Sequence, residues 1–261
     1  MPKIQITEDG SHTLFSEMAG QTYHSSHGAI QESNHIFISQ LSTLNSQLSV
    51  LEIGFGTGLN ALLTAQWANE HKVKIEYTTI ELYPLENVIY RELNYGRLLG
   101  DEELFLRLHE VAWNAGFVQV SEYFAIRKCK SDIVEWLTNA QCTMHNAQLL
   151  DLSILSNQSD STLNSQLSTL NSQLSTLNFQ LSTFNFQYDV VYFDAFSPDA
   201  QPELWSEEVF LNIYQLMKEG SVLTTYCAKG DVRRAMLTAG FKVEKLQGPP
   251  GKRHILRAGK I

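Results

Sequence analysis

A predicted strand, a run of alternating glycines and a predicted helix follow one another directly between residues 49 and 67. Ser49–Ile53 is a short apolar segment with β-branched residues, which is typical of a buried strand. The loop Gly54–Gly58 follows it, and apolar side chains then recur at helical spacing from Leu59 to Trp67. This unit restricts the fold, because it is the building block of parallel α/β sheets, which bind ligands at the carboxyl ends of their strands.

Strands and helices alternate along the rest of the chain. The predicted elements are a strand Lys74–Ile80, a strand Tyr188–Phe193, a helix Glu207–Lys218, a strand Ser221–Tyr226, a helix Asp231–Ala239, and an antiparallel pair Phe241–Leu246 and His254–Arg257. The fold class predicted from this order is α/β, with a Rossmann-like sheet that is mostly parallel and has a terminal antiparallel strand.

Composition excludes several classes of protein. The chain has 261 residues, and 43% of them are hydrophobic, whereas a disordered chain would have low hydrophobicity and high charge. No apolar stretch approaches the roughly 18 residues of a membrane span. Cys129, Cys142 and Cys227 are far apart, which argues against a disulfide scaffold or a zinc ribbon. The N-terminus lacks a secretory pattern, so we expect a soluble, cytoplasmic protein without a metal site or a membrane partner.

A heptapeptide repeat accounts for a charged content of only 18%. Ser161–Leu167 reads STLNSQL, Ser168–Leu174 is identical, two altered copies continue to Tyr188, and a single copy occupies Ser42–Leu48. The leucines form a heptad stripe, so the interpretations are a coiled-coil arm, a β-rich or disordered insertion, or duplicated coding sequence in a tolerant loop.

The near-identity of the copies favours duplication in a loop, because packing in a core would have made the copies diverge. We therefore predict a single domain over residues 1–261, with an N-terminal extension over 1–48 and a low-complexity insertion at about 156–187. Apolar and polar residues alternate from Phe184 to Val190, which predicts that the last copy belongs to the following strand.

Positive charge is concentrated near the C-terminus of an otherwise acidic chain. The formal net charge is −9, yet residues 229–261 contain nine basic side chains and two acidic ones. This segment therefore carries +7, and residues 1–228 carry −16. The segment is either a surface that binds a polyanion or a solvated surface without a partner.

The spacing of the glycines distinguishes between cofactors. The pattern Glu52-x-Gly54-x-Gly56-x-Gly58 resembles motif I of class I S-adenosylmethionine methyltransferases, whereas a dinucleotide-binding loop has G-x-G-x-x-G. Glu81 ends the next strand, where an acidic side chain can bond ribose hydroxyls. A tight turn with a structural purpose is the alternative for the loop.

Asp194 follows the strand Tyr188–Phe193 and begins the sequence DAFSP. A carboxylate at this rim can accept a hydrogen bond from a substrate amine, and Phe196 can stack on a planar base. The alternative for Asp194 is a carboxylate that caps the loop, which is common after a strand.

Longer motifs resemble one family, the methyltransferases that complete 5-methylaminomethyl-uridine at the tRNA wobble position. This is the stand-alone MnmD type, equivalent to the N-terminal half of bifunctional MnmC. The matching segments are Asp9–Leu14, Tyr23–Ser25, Gly28–His35, 51–64, 192–205, 225–236 and 240–253. They cover most of the chain outside the repeats.

The resemblance implies a cofactor, S-adenosyl-L-methionine, and a set of residues that bind it. Gly54, Gly56 and Gly58 would surround its methionine end, Glu81 the ribose and Asp132 the adenine amino group. The same resemblance adds Glu52, Thr57 and Asn60 to the cofactor-binding residues.

The resemblance also implies that the substrate is an aminomethyl-uridine of the tRNA anticodon arm. Asp194 would orient the amine and accept its proton. Side chains that would close over the base are Tyr23, His24, Glu32, Phe196 and Pro198. Side chains that would contact the phosphates are Lys229, Arg233, Arg234, Lys252 and Arg253. The wobble base would be splayed out of its stack. Because the chain ends at Ile261, the flavin oxidoreductase activity of bifunctional relatives is expected to be absent.

Two other classes of function stay open at this level. One is a methyltransferase or aminopropyltransferase on a small amine, which would not need a basic C-terminal segment. The other is a non-catalytic protein that binds the cofactor and uses the heptad stripe as a partner surface. The sequence does not distinguish oligomeric states.

Overall fold

The structure is a computed structural model that describes residues 2–42, 45–141 and 187–261. The consecutive repeat copies lie outside these ranges apart from Gln187 and Tyr188, as do Phe184 and Phe186, so the interpretations of the insertion are not addressed by the structure.

The strands of the described ranges are, in chain order, β1 Lys3–Ile6, β2 His12–Ser16, β3 Gln21–Thr22, β4 Gln47–Ile53, β5 Lys74–Glu81, β6 Val118–Ser121, β7 Phe124–Lys130, β8 Tyr188–Phe193, β9 Met217–Thr225, β10 Lys242–Gln247 and β11 His254–Gly259. The helices are α1 Ala29–Ile36, α2 Leu59–His71, α3 Asn87–Tyr90, α4 Tyr95–Leu98, α5 Glu102–Glu110, α6 with described residues 133–141, α7 Glu207–Gln215 and α8 Gly230–Thr238. Short 3₁₀ turns occupy Ile38–Gln40 and Pro202–Trp205.

Eight strands form the central sheet in the order β10-β11-β9-β8-β4-β5-β7-β6. The five inner strands β9, β8, β4, β5 and β7 are parallel to one another, and β11 and β10 are antiparallel at one edge. The α/β class, the parallel centre and the terminal antiparallel pair are therefore confirmed. The antiparallel strand β6 at the other edge was not predicted.

Helices cover both faces of this sheet, so its central strands are buried on both sides. One apolar cluster lies between the sheet and α1, α2 and α5, and the other lies between the sheet and α6, α7 and α8. This explains why β8 is an almost uninterrupted apolar run, as is typical of parallel strands with two covered faces.

Strand β4 begins at Gln47, two residues before the predicted start. Gln47 and Leu48 are the last residues of the isolated repeat copy, and Leu48 is buried in the core. This copy therefore ends in the central sheet and not in a loop, because Leu48 pairs with Ile75 of β5 on the covered face.

Helix α7 ends at Gln215, which corrects the predicted helix Glu207–Lys218. The side chain of Ser206 accepts a hydrogen bond from the amide of Val209 at the helix start. The backbone then turns at Leu216, whose carbonyl accepts from the Tyr188 amide at 2.9 Å. Met217 pairs with Tyr188 as the first residue of β9. Although Met217 continues the apolar spacing of the helix, it therefore belongs to a strand.

The N-terminal segment packs over the carboxyl end of the central sheet. Strands β1 to β3 form a small antiparallel sheet, and the amide of His12 donates to Oδ1 of Asn94 at 2.8 Å. The hydroxyl of Thr224 in β9 donates to the carbonyl of Ile36 at 3.0 Å, next to the end of α1. This packing brings residues 18–32 to the carboxyl ends of β4, β5 and β8. Among the helices that the structure describes, none is both long enough and apolar enough to span a membrane.

Candidate active site

A cavity opens at the carboxyl ends of β4, β5 and β8. Its wall combines the glycine loop, the residues that follow β5 and β8, and the N-terminal segment. The lining residues outside the glycine loop are Met18, Tyr23, His24, Leu59, Asn60, Ile80, Glu81, Leu82, Tyr83, Ile133, Asp194, Ala195, Phe196, Gln201 and Tyr226. This is the rim at which parallel α/β sheets bind their ligands.

The glycine loop leaves room for a ligand because its turns exclude side chains. Gly54 has a φ of 92°, and a Cβ there would lie 2.9 Å from the carbonyl oxygen of Asp194. Gly58 has a φ of 76°, and a Cβ there would lie 2.7 Å from Nε2 of His109. Left-handed backbone and close neighbours together require glycine at these two positions. The backbone of the loop at Gly54 therefore packs directly against the backbone at the end of β8.

Glu81 lies at the end of β5 and faces the cavity. Its Oε2 accepts a hydrogen bond from the amide of Gly56 at 3.0 Å, and its Oε1 accepts from the amide of Tyr83 at 2.9 Å. Burial raises the pKa of Glu81, while these backbone hydrogen bonds lower it. Because each carboxylate oxygen has a second lone pair, Glu81 can still accept from the hydroxyls of a ribose.

Three of the predicted cofactor residues do not line the cavity, namely Glu52, Gly58 and Asp132. Glu52 is fully buried beneath the loop, where its Oε2 accepts from the hydroxyl of Thr79 at 2.7 Å. Asp132 accepts from the amide of Glu135 at 3.0 Å and so caps the start of α6. Its neighbour Ile133 lines the cavity instead, so the wall near α6 is apolar.

Asp194 lies where β8 ends, and its amide donates to the carbonyl of Ile53 at 3.0 Å. Its Oδ2 accepts from Nδ2 of Asn60 at 2.8 Å, which fixes the carboxylate beside the glycine loop. Burial raises the pKa of Asp194 well above its ordinary value, and the nearby negative charge of Glu32 adds to this; the Asn60 hydrogen bond and the charge of Lys252 oppose it. Thr57 and Asn60, which the resemblance added to the cofactor residues, lie in the cavity wall.

Aromatic side chains form the wall opposite the loop. Tyr23 and Phe196 meet edge to face with ring centroids 5.0 Å apart. The hydroxyl of Tyr226 donates to the carbonyl of Ala195 at 2.8 Å, and Nε1 of Trp205 donates to the carbonyl of Phe196 at 2.8 Å. These bonds hold the segment after Asp194 in place. Pro198, predicted as a substrate contact, lies in the same segment but outside the cavity wall.

His24 connects the N-terminal segment to the glycine loop. Its Nε2 lies 2.7 Å from Oγ1 of Thr57. Burial lowers the pKa of His24 to about 4, so the imidazole is neutral at physiological pH. His24 lines the cavity, and its ring also packs in the protein interior.

Glu32 and Lys252 form an ion pair next to Asp194. The amide of Ser25 donates to Oε2 of Glu32 at 2.7 Å, and Nζ of Lys252 donates to Oε1. The Lys252 ammonium also lies 4.9 Å from the centre of the Tyr226 ring. We predicted Lys252 as a phosphate contact; in the structure its ammonium pairs with Glu32, and its charge lowers the pKa of Asp194.

The other predicted phosphate contacts lie around α8 and the turn before β11. Lys229 pairs with Asp199 at 2.6 Å on the surface. Arg234 and Arg253 are exposed, and Arg233 is half-buried. Sequence reasoning missed the cavity residues Tyr226, Gln201 and Met18. The position of Tyr226 just after β9 was an available signal, since strand ends define this rim.

The cavity fits S-adenosylmethionine. Glycines with left-handed backbone leave the loop open to a ligand, Glu81 offers acceptors for ribose hydroxyls, and Leu82 and Ile133 offer apolar contacts for an adenine. Within the described ranges, no cluster of three or more histidine, cysteine or acidic side chains could hold a metal ion.

The fold and this site resemble those of class I S-adenosylmethionine-dependent methyltransferases. Residues 141–261 match the family described as S-adenosyl-L-methionine-dependent methyltransferase. The chain is also similar to the tRNA 5-methylaminomethyl-2-thiouridine biosynthesis bifunctional proteins MnmC of Psychrobacter sp. (26% identical, 99% of this chain and 37% of the relative) and Cupriavidus metallidurans (27%, 95% and 32%).

The chain thus spans about a third of the length of these curated relatives. Among solved structures, MnmC2 from Aquifex aeolicus superposes with a TM-score of 0.67 at 24% identity, over 99% of this chain and 70% of that one. These comparisons confirm the resemblance to MnmC, and the description of the matching family agrees with S-adenosylmethionine as the cofactor.

Proposed function

We propose that the protein methylates the primary amine of an aminomethyl group on the wobble uridine of tRNA. The observation that carries the proposal is the Asp194 carboxylate, held by Asn60 at the rim between the glycine loop and an aromatic wall. The names of the MnmC relatives support the choice of substrate. The flavin-dependent activity of bifunctional relatives is not part of the proposal.

The chemistry requires an amine that has lost its proton. An alkyl amine has a pKa near 10 by analogy with lysine, so it enters mostly as an ammonium ion. S-adenosylmethionine, when bound, supplies an electrophilic methyl group. Asp194 accepts a hydrogen bond from the ammonium and takes its proton, and its raised pKa makes it a stronger base than an exposed aspartate. Much of the acceleration comes from holding the amine in line with the methyl group.

The surroundings of Asp194 suit a flat uracil ring. Tyr23 and Phe196 form a wall that can contact the ring, and Tyr226 closes the cavity beside Ala195. A wobble base splayed out of its stack could lie against these side chains. Lys252 and Glu32 together contribute almost no net charge, so Asp194 is the uncompensated anion available to the ammonium.

Exposed cations extend from this cavity along the C-terminal segment. We propose that Arg233, Arg234 and Arg253 contact phosphates of the anticodon arm, with Lys229 contributing once it leaves Asp199. The site of action would be the cytoplasm. We further propose that the chain is one methyltransferase domain, and that deleting residues 161–187 leaves the activity in place.

The test is methyl transfer to tRNA that carries aminomethyl-uridine, read as nucleoside masses after digestion. The proposal expects conversion to the nucleoside one methyl heavier, and a loss of at least about a thousandfold in kcat for Asp194→Ala with cofactor affinity retained. Asp199→Asn, an exposed carboxylate in the same segment, is the matched control.

Two results would redirect the proposal. Methylation of a free small amine with no transfer to tRNA would make the protein a small-molecule methyltransferase. Failure of the purified chain to bind S-adenosylmethionine would contradict catalysis altogether and favour a non-catalytic partner protein.

A further inference from the structure

Beneath Asp194 lies a buried polar group that faces α2 from three neighbouring strands. Glu52 of β4 is in register with Thr79 of β5 and Tyr192 of β8, so their side chains share one face of the sheet. Tyr77 lies two residues before Thr79 on the same face, and Asn60 faces this group from the first turn of α2. Relative exposure is 0% for Glu52, Thr79 and Tyr192.

Two oxygen atoms in this group lack a hydrogen-bond donor. Oε1 of Glu52 and Oδ1 of Asn60 are both buried without a partner. The other atoms of these side chains are engaged, because Oε2 of Glu52 accepts from Thr79 and Nδ2 of Asn60 donates to Asp194. Buried acceptors without donors are rare and costly in folded proteins.

An ionised Glu52 does not resolve this arrangement. A carboxylate has only acceptors, so it offers nothing to Oδ1 of Asn60. The hydroxyl of Tyr77 is also buried without a partner and can donate to Glu52, but it leaves Asn60 unsatisfied. In the described part of the chain, no ion pair includes Glu52. A single proton on Glu52 supplies the missing donor to Asn60.

We propose that Glu52 is a positioning residue that, as a neutral acid, donates a hydrogen bond to Oδ1 of Asn60 and thereby holds Nδ2 of Asn60 against the Asp194 carboxylate. The inference rests on the proposed function in that Asp194 is the group that faces the amine. It differs from the predicted role of Glu52, which was contact with the cofactor.

The charges around Glu52 agree with this protonation. Burial raises the pKa of Glu52 well above its ordinary value, and the charge of Asp194 adds to this, whereas the hydrogen bond from Thr79 and the polar side chains of Tyr77 and Asn60 oppose it. The titratable groups that face it are Tyr77 from β5 and Tyr192 and Asp194 from β8; Asn60 is its neighbour from α2. Asp194 itself faces Glu32 and Lys252. Because Asp194 borders the cavity and Glu52 has no exposed surface, the negative charge of the pair belongs on Asp194.

The experiment compares Glu52→Leu and Glu52→Gln by the pH dependence of kcat/KM for tRNA and by cofactor affinity. Glu52→Leu removes the donor, so we expect kcat to fall roughly 10- to 100-fold with cofactor affinity within about threefold. The acid limb should move to higher pH, because Asp194 loses the hydrogen bond that favours its charged form. Glu76→Gln, on the neighbouring strand β5, is the control for removing a carboxyl group.

Glu52→Gln keeps a donor, since its amide NH₂ can bond Oδ1 of Asn60 while its carbonyl accepts from Thr79. We expect the kcat of Glu52→Gln to be at least about tenfold higher than that of Glu52→Leu, with the acid limb of its pH profile at the wild-type pH. A shift of the acid limb to lower pH in both variants overturns the proposal, because it means that a negative charge beside Asp194 was removed. Equal losses in both variants without a pH shift also overturn it.

Infrared difference spectroscopy of the folded protein tests the proton on Glu52 without any assay of tRNA. We expect a carboxylic-acid carbonyl band at neutral pH that is absent from Glu52→Gln and present in Asp194→Asn. Absence of that band from the wild-type protein overturns the proposal even if tRNA is methylated. Its presence supports the proposal even if the substrate is another amine.

Discussion

The two sides of the cavity are built in different ways. The cofactor side is made by the loop Gly54–Gly58 and by Glu81, which bonds the Gly56 amide 25 positions earlier. The amine side is made by pairs far apart in the chain, since Asn60 and Asp194 are separated by 134 positions and Glu32 and Lys252 by 220. A short motif therefore specifies the first side, whereas the second side requires both ends of the chain to pack together.

Gly54→Ala should have the largest effect, because Gly54 is where the two sides touch. A Cβ would lie 2.9 Å from the carbonyl oxygen of Asp194, on backbone with a φ of 92°. We expect the free energy of unfolding to fall by about 2–4 kcal/mol and cofactor affinity to fall by at least about 100-fold. Thermal denaturation and calorimetric titration measure the two quantities.

Gly100→Ala is the matched control for Gly54→Ala. Gly100 has a φ of 71°, but a Cβ there would have no atom within 4 Å, so this position has the strain without the contact. We expect a loss of about 1 kcal/mol and unchanged cofactor affinity for this control. Equal effects of the two substitutions would show that backbone strain alone accounts for the result.

Lys252→Met should separate the amine side from the cofactor side. It leaves Glu32 without its cation and removes a positive charge that lowers the pKa of Asp194. We expect kcat/KM for tRNA to fall roughly 30-fold and its acid limb to move to higher pH, with cofactor affinity within about threefold. Lys245→Met, an exposed cation on β10, is the control. A parallel loss of cofactor affinity would mean that the two sides are not independent.

Charge reversal of Arg234 and Arg253 tests whether the exposed surface outside the cavity binds tRNA phosphates. We expect KM for tRNA to rise about tenfold and its dependence on salt to weaken, because two phosphate contacts are lost. Lys229→Ala should change KM less than about twofold, since Lys229 already pairs with Asp199. Steady-state kinetics at several salt concentrations measure both. An equal effect of Lys229→Ala would contradict the smaller share given to Lys229, because it would mean that pairing with Asp199 does not limit its contact with tRNA.

His109 packs beneath the glycine loop on the cofactor side, and we expect its substitution to have the smallest effect of those considered, a change in how stability depends on pH. Its Nε2 donates to the carbonyl of Thr57 at 3.1 Å, and burial lowers its pKa to about 3. The folded pKa lies below the unfolded value, so the neutral form contributes stability above about pH 6.5 that is lost as the pH falls toward 3.

Between pH 7 and pH 6 this loss is about 0.7 kcal/mol for one histidine. His109→Gln should remove that share of the pH dependence while lowering stability at pH 7, and His71→Gln, at an exposed position, is the control for replacing a histidine. Chemical denaturation at the two pH values gives the comparison. An unchanged pH dependence in His109→Gln would show that His109 does not titrate in this way.

Much of the fold was predictable because it depends on local patterns. Strand β8 has the predicted bounds, and the glycine loop joins β4 to α2 as expected. The predicted helix from Glu207 was too long because Leu216 and Met217 fit the apolar face of a helix equally well. Pairing with Tyr188 made Met217 part of a strand, and such a long-range contact has no local signal.

In the candidate site, too, the features set by local sequence were predictable and those set by long-range contacts were not. Motif spacing located Gly54, Gly56, Gly58 and Glu81, since a glycine loop after a strand depends on neighbouring residues alone. The orientation of Glu52 could not be read from motif I, because alternation along β4 turns its side chain beneath the loop toward Thr79. The pairing of Lys252 depended on where α1 places Glu32.

By itself, the sequence determined the α/β fold class, a glycine loop after a central strand and an aspartate at the end of the adjacent strand. Those features follow from hydrophobic periodicity and from glycines that neighbouring residues cannot replace. Only the tertiary structure decided which charges meet beside that aspartate. Packing of the N-terminal segment and the C-terminal turn over the sheet brings Glu32 and Lys252 to Asp194, because burial of their apolar neighbours, and not sequence proximity, sets these distances.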